Sequence, residues 1–598
     1  MNIFKNKFNY FLIATAILVG VLYIAPQILI WKKLSELGKP YVSVQMGTRS
    51  DEANGGLAMY REIYEGHFVP DDLFLDVKSP TPFLGFELPS LIMATFLYFF
   101  GGNVNQAYLI SHFIIPPVIF FLFFFLGKVL TRNNLWSFFL ALIGLFTPIL
   151  KYIPHMFASL ANFLNIAVKN FYPLIHTPLD RLFLDKTPDQ MLTYPIYVIT
   201  LTFLVIFWRK PTIKNGAILG SLIGFMAYTY FHYWVYLTVV AGLIFIFSAV
   251  NFKQHIQRFK AASILMGILF LVLLPYLMNI LAFNALPNSE EIMQRIGVTV
   301  GYYFHFLNPF PIVFDYIFYL IVAVLIYFVF YKSDENIAIL YWLLLGGMFI
   351  VWNVQLVVGY VPQPDHWWRA LGPALFVILF HSLHKLSEKI NYKRAVTIVL
   401  IGLSVLLITK KVVNALIFVN PPQEFLDAYT FNPNIVESWN WINENLEKEP
   451  KIISPSFITS LYLTAQTGTR PYLATGFNST ATNEFLEKRF LKAYKIFKVS
   501  EEMLKKIAVR CPDCESSDLE SRSNVTKPMK YLRISDERRS KLLENYNNLT
   551  SVGWRELEAN YVYYGPWERQ LSDIDLEKDQ NLVLVYKNPE VEIYRIKK

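Results

Sequence analysis

Four short stretches of this chain hold the residue types that proton transfer and anion binding require. The first is Thr48-Arg49-Ser50-Asp51-Glu52-Ala53-Asn54-Gly55-Gly56-Leu57-Ala58-Met59-Tyr60-Arg61-Glu62-Ile63-Tyr64-Glu65-Gly66-His67-Phe68. Ser50 can cap a helix whose first turn holds Asp51 and Glu52 and which Gly66 ends. Acids at that position suit the positive end of the helix dipole, and helix capping alone accounts for them.

The other three stretches carry cations and rings. Arg181 sits in Thr177-Pro178-Leu179-Asp180-Arg181-Leu182, His232 in Tyr228-Thr229-Tyr230-Phe231-His232-Tyr233-Trp234, and Arg369 in Asp365-His366-Trp367-Trp368-Arg369. Arg181, His232 and Arg369 are candidate contacts for a phosphate. His366 lies beside Arg369, and the hydroxyls of Tyr228, Tyr230 and Tyr233 are further donors. A guanidinium can hold a phosphate through two parallel hydrogen bonds, which lysine cannot do. The competing reading is an interfacial belt: snorkelling arginines and aromatic rings at headgroup level. The belt explains the rings but leaves His232 over, and an ionisable group near membrane depth is a functional candidate by default.

The elements that carry these residues are membrane helices. The 598 residues are 54% hydrophobic, 17% aromatic and only 17% charged, and the mean hydropathy is +0.36. Those values exclude an ordinary soluble protein. The net charge of +9 does not call for nucleic acid, because the basic residues of the first two-thirds sit in short clusters between apolar runs, where lipid headgroups explain them. Two cysteines, Cys511 and Cys514, are too few for a disulfide framework. Their spacing fits half a zinc knuckle or a local disulfide.

At about 20 apolar residues per crossing, about eleven spans are expected, at 9–31, 106–127, 135–150, 190–208, 215–231, 232–250, 261–283, 311–330, 336–357, 370–385 and 395–417. The run 88–101 is too short to cross and is expected in the interface or as a re-entrant helix. The clusters Lys128/Arg132, Arg209/Lys210/Lys214, Lys253/Arg258/Lys260 and Lys385/Lys389/Lys393/Arg394 all fall on the N-terminal side, which is therefore read as cytoplasm. The expected organisation is a transmembrane domain, 1–417, with outer loops 32–87, 151–189, 284–310 and 358–369, followed by an extracytoplasmic α/β domain, 418–598. In the latter, strands are expected at 451–453, 561–564, 582–586 and 591–596, and helices around Trp439–Ile442, from Ser456, and over 483–497. The third loop, with Glu290, Glu291 and Arg295, reads as a solvated amphipathic helix without chemistry.

The order of first span, acidic outer loop with Ser-Asp-Glu…Tyr-Arg-Glu-Ile…Glu-Gly, short interfacial helix and many spans resembles the GT-C superfamily of integral-membrane glycosyltransferases. The resemblance implies an inverting transfer of sugar from a polyprenyl-phosphate donor to an acceptor outside the cytoplasm, with a first-loop acid as base. By position, that role falls on Asp51, with Glu52 second. The opening of the tail is similar in layout to the soluble domain of the oligosaccharyltransferase catalytic subunit. The Trp-Trp-Asp-Tyr-Gly motif of that family is here replaced by Ser454-Pro455-Ser456-Phe457-Ile458-Thr459-Ser460. The implied partners are the polyprenyl-phosphate sugar, membrane lipid and an acceptor of unspecified class (protein, lipid or polysaccharide). No cofactor is implied, and the second loop lacks an Asp-x-Asp pair to hold a divalent metal. Two other readings stay open. The number of spans permits a transporter or flippase, against which the spans offer almost no midplane carboxylate. A non-catalytic, glycan-binding relative also fits the Tyr- and Trp-bearing tail.

Overall fold

The computed structural model describes residues 7–43, 56–68, 82, 87–146, 164, 168, 191–295, 299–300, 312–361, 366–389, 392–421, 423, 426, 430–473, 479–507 and 536–598. The chain is mostly helical. It folds as two compact units that interleave along the sequence, 1–26 with 110–278 and 299–420, and 27–109 with 279–298 and 421–598. In order, the elements up to residue 300 are α1 (Lys7–Glu36), α2 (Leu57–Glu65), α3 (Glu87–Phe99), α4 (Val104–Thr131), α5 (Asn134–Phe146), α6 (Tyr194–Arg209), α7 (Ile213–Met226), α8 (Phe231–Val250), α9 (Ile256–Asn284), α10 (Ser289–Arg295) and β1 (Thr299–Val300). Then come α11 (Ile312–Phe330), α12 (Glu335–Val351), α13 (Gln355–Val358), β2 (Tyr360–Val361), α14 (Trp367–Lys389) and α15 (Lys393–Ile417).

Among the described residues, α1, α4, α8, α9, α14 and α15 are long and apolar enough to cross a membrane, and α3, α5, α6, α7, α11 and α12 hold shorter apolar helices. Each expected span overlaps a helix, although 215–231 runs past the end of α7 at Met226 and 336–357 past that of α12 at Val351, and the run 88–101 falls largely on α3. In the first unit α14 is central and α9 peripheral: 78% of the apolar window of α14 is buried, against 17% in α9. Helices in lipid gain little from burying apolar surface against each other, so contact depends on close packing. Gly216, Gly220 and Gly224 supply it on α7. A Cβ at Gly216 would lie 2.3 Å from the carbonyl oxygen of Ala261 on α9, and one at Gly220 would lie 2.4 Å from that of Leu265.

The second unit holds the tail: α16 (Pro433–Asn445), β3 (Lys451–Ile453), α17 (Phe457–Thr467), β4 (Arg470–Pro471), α18 (Asn483–Ile496), α19 (Glu501–Ile507), α20 (Asp536–Asn548), β5 (Tyr561–Tyr564), α21 (Pro566–Arg569), β6 (Leu582–Lys587) and β7 (Glu592–Ile596). The strands are ordered β4-β3-β5-β7-β6, with β3 parallel to β4 and β5 and the rest antiparallel. Alternation along β5 sends its residues to two cores. Val562 and Tyr564 meet Phe490, Leu491 and Tyr494 of α18 on one face. Tyr561 and Tyr563 meet Trp439 of α16 and Tyr462 of α17 on the other. The expected α/β reading of the tail therefore has a physical basis in each strand.

The same unit contains α2 and α3, which pack together, and α2 also packs on α17. α2 starts at Leu57 after Gly56, and its first turn holds no acid; Gly66 ends it with φ 108°, as expected of a left-handed C-cap. Ser50, Asp51 and Glu52 lie outside the described residues, so the cap expected at Ser50 does. α10 is docked rather than solvated: Glu291 accepts from the Asn483 backbone N–H at 2.7 Å, at the start of α18, and Asn288 donates to the Thr480 carbonyl at 2.9 Å. A carboxylate there meets the positive end of α18.

Candidate functional site

Three helices of the first unit, α6, α8 and α14, start side by side. Tyr194 opens α6, Tyr230 precedes α8, and His366 precedes Trp367 at the head of α14. The rings of Tyr194 and Tyr233 lie 6.0 Å apart, those of Tyr230 and His366 also 6.0 Å, and those of His232 and Trp367 4.7 Å. Each helix start exposes N–H groups without intrahelical acceptors and the positive end of a dipole. Convergence of three such ends favours an anion.

The side chains add to that field. The Arg369 guanidinium lies 5.6 Å from the centre of the Tyr230 ring, and its Nη2 is 3.1 Å from Nε2 of His366. A guanidinium only donates, so Nε2 of His366 accepts and that ring carries its proton on Nδ1. His366 and Arg369 are half-buried, whereas Tyr230, His232, Tyr233 and Trp367 form a buried layer beneath them.

Four of the sequence-predicted residues, Tyr230, His232, His366 and Arg369, are thus brought together. Tyr228 is not among them: its hydroxyl donates to the Val272 carbonyl at 3.0 Å and its ring meets Tyr276, both on α9. Tyr233 is packed on Tyr197, ring centres 4.7 Å apart. Arg181, like Asp51 and Glu52, lies outside the described residues, as do Cys511 and Cys514.

Two residues that sequence reasoning passed over hold the head of α14. Pro373 has no N–H, so the carbonyl of Arg369 loses its helical donor. Tyr194 donates to that carbonyl at 3.4 Å, and Tyr197 donates to the next one, Ala370. Their spacing of three residues places both hydroxyls on one face of α6.

In the second unit, the acids of α2 are engaged in ion pairs. Arg470 contacts Glu62 and, at 3.3 Å, Glu449, and His67 contacts the same Glu449 oxygen. Arg61 pairs with Glu65 at 2.6 Å and donates to the Gly102 carbonyl at 3.2 Å, and Lys448 lies 3.5 Å from Glu65. Glu449 adopts φ 55°, a left-handed backbone uncommon for a non-glycine residue, and the two contacts of its carboxylate hold it there. Burial pushes the Glu62 carboxyl up; the Arg470 guanidinium and then His67 oppose this. Glu62, His67 and Glu449 have donor spacing that could hold a metal ion. Arg470 touches both carboxylates and already supplies the compensating charge, so the group fits an ion-pair clasp better than a metal centre.

The Ser454-Pro455-Ser456 stretch is tied down by a buried acid. Glu568 accepts hydrogen bonds from Ser454, Thr459 and the Gly565 backbone N–H, the last at 2.8 Å. Burial holds its carboxyl above the usual range, although those three donors oppose the shift. This is a structural knot joining α21 to the β3–α17 turn.

No protein-family model and no curated protein matches the chain. Among solved structures, it is similar to the apo oligosaccharyltransferase of Archaeoglobus fulgidus, with 10% identity and a TM-score of 0.44 over 94% of this chain and 70% of that one. It is likewise similar to ArnT from Cupriavidus metallidurans bound to undecaprenyl phosphate, with 10% identity and a TM-score of 0.43 over 98% and 97%. A third is the A. fulgidus oligosaccharyltransferase AglB in complex with an inhibitory peptide and a dolichol-phosphate, with 12% identity and a TM-score of 0.40 over 99% and 74%.

Proposed function

We propose that this chain is a membrane glycosyltransferase of GT-C type that takes a sugar from a polyprenyl-phosphate donor on the extracytoplasmic side. The observation that carries the reading is the gathering of Arg369, His366, His232 and Tyr230 at three converging helix starts. α6 and α14 run from this cluster toward Arg209 and Lys389, members of the basic clusters that mark the cytoplasmic side. The cluster then belongs at the opposite leaflet, within reach of a lipid-linked phosphate. The proposed arrangement places residues 1–417 in and along the membrane and 418–598 outside the cytoplasm.

In the proposed reaction the acceptor oxygen attacks the anomeric carbon, and the bond from that carbon to the phosphate oxygen breaks with inversion. The electron pair leaves with the phosphate, which Arg369 and His366 hold, and Asp51 takes the acceptor proton, with Glu52 second. Glu62 and Glu65 come from the same loop run, but their ion pairs commit them to structure. The test is transfer by the purified chain from synthetic polyprenyl-phosphate sugars. Asp51→Asn is expected to abolish turnover with donor binding retained, and Arg369→Ala to weaken donor binding. Wild-type turnover by Asp51→Asn would remove Asp51 as base.

A further inference from the structure

We infer that Tyr194 and Tyr197 are positioning residues that set Arg369 through its backbone, an inference that rests on the phosphate role proposed for Arg369. An arginine in the first turn of a helix is only as well placed as that turn. In α14 the turn is weakened by Pro373, which offers no N–H to the Arg369 carbonyl and whose ring crowds that carbonyl. A carbonyl left without a donor away from bulk water is unfavourable, and the turn would open to find one. Here Tyr194 supplies a hydroxyl to the Arg369 carbonyl at 3.4 Å and Tyr197 supplies one to the Ala370 carbonyl. Both tyrosine side chains are fully buried, and the Tyr197 ring is stacked on Tyr233, so the donors are themselves held.

The consequence is a bracket. Proline frees the Arg369 carbonyl from the helical ladder, Tyr194 of α6 takes it over, and Tyr197 adds a donor to the next carbonyl, so the direction in which Arg369 leaves the helix is set by α6 as well as by α14. That matters because Arg369 has to lie over Tyr230 and beside His366 at once. A displacement of about 1 Å at a binding group can cost two orders of magnitude.

The experiment uses the full chain in nanodiscs, titrated with farnesyl phosphate and, separately, with farnesol, and read by tryptophan fluorescence. Tyr197→Phe keeps the ring and removes the hydroxyl; it is expected to weaken farnesyl phosphate roughly tenfold and farnesol not at all. Tyr194→Phe is expected to weaken farnesyl phosphate several-fold in the native background and to have no effect in Pro373→Ala, where the new N–H serves the Arg369 carbonyl. Simple addition of the Tyr194 and Pro373 effects, or equal loss of both ligands in Tyr197→Phe, overturns the bracket. Arg369→Ala separates the two levels. If it binds farnesyl phosphate like the native chain, the phosphate reading itself fails; if it loses binding while both tyrosine variants keep it, the bracket alone fails.

Discussion

Replacing Arg470 by methionine should expose what holds the first-loop helix α2 to the tail. Arg470 is 8% exposed and Glu62 5% exposed, so the substitution leaves a carboxylate in a dry place with its main counter-charge gone. Breaking a buried pair on one side costs about 3–5 kcal/mol. The carboxyl has an escape, which is to take up a proton, and the cost of that is about 1.4 kcal/mol per unit between its pKa and the ambient pH. The sign follows: in the variant the folded carboxyl is raised further above its unfolded value of about 4.3, so the folded state keeps a proton that the unfolded state releases. Stability is then nearly whole at pH 5 and falls as the pH rises toward the folded pKa. Thermal midpoints of the full chain in detergent, followed by tryptophan fluorescence, should drop in Arg470→Met by on the order of 10 °C at pH 8 and by much less at pH 5. Adding Glu62→Gln to Arg470→Met should recover most of the loss and flatten the profile, because His67, Glu449 and Lys448 are unchanged in that pair of variants. If the two substitutions simply add, or if Glu62→Gln alone costs as much as Arg470→Met, the clasp is not organised around this pair.

Gly220→Ile should cost about 1–3 kcal/mol or more by forcing α7 off the backbone of α9, whereas Gly242→Ala, where a Cβ meets nothing within 4 Å, should be silent; the monodisperse fraction in size-exclusion chromatography reports both. Glu568→Gln should remove a pH slope. Its carboxyl is raised in the folded chain, so native stability declines as pH rises above the ordinary carboxylate range, and thermal midpoints between pH 4 and 8 should be flatter in the variant. Arg369→Lys keeps the charge but loses the planar fork, and farnesyl phosphate affinity should fall about tenfold, with His366→Ala milder.

What was legible in the sequence was local. Long apolar runs such as 106–127 and 261–283 fall on α4 and α9 because in lipid the backbone must satisfy itself within one segment. The short helix at 88–101 and the tail strands follow from length and alternation. Tyr230, His232, His366 and Arg369 were legible because ionisable groups at helix ends near a membrane need a reason. Their neighbours Tyr194 and Tyr197 were not, since their hydroxyls meet the carbonyls of Arg369, which Pro373 frees, and Ala370 on a helix some 175 residues away. Glu62 and Arg470, 408 residues apart, show nothing in sequence that joins them. The spacing of Gly216, Gly220 and Gly224 is visible along the chain, but it gains meaning only once Ala261 and Leu265 are seen beside it.

The same contrast sharpens the choice of base. The first-loop run offers Asp51, Glu52, Glu62 and Glu65, and position alone ranks them weakly. An acid that serves as a base must be able to meet an incoming hydroxyl and to change its charge during the cycle. Glu62 can do neither without cost: it is buried, it contacts Arg470, and loss of its charge would leave the guanidinium between fewer partners. Glu65 is shared by Arg61 and Lys448. The pairs of Glu62 and Glu65 anchor α2, so Glu62→Gln should change stability more than turnover, and on the role proposed for Asp51 the variant Asp51→Asn should do the reverse.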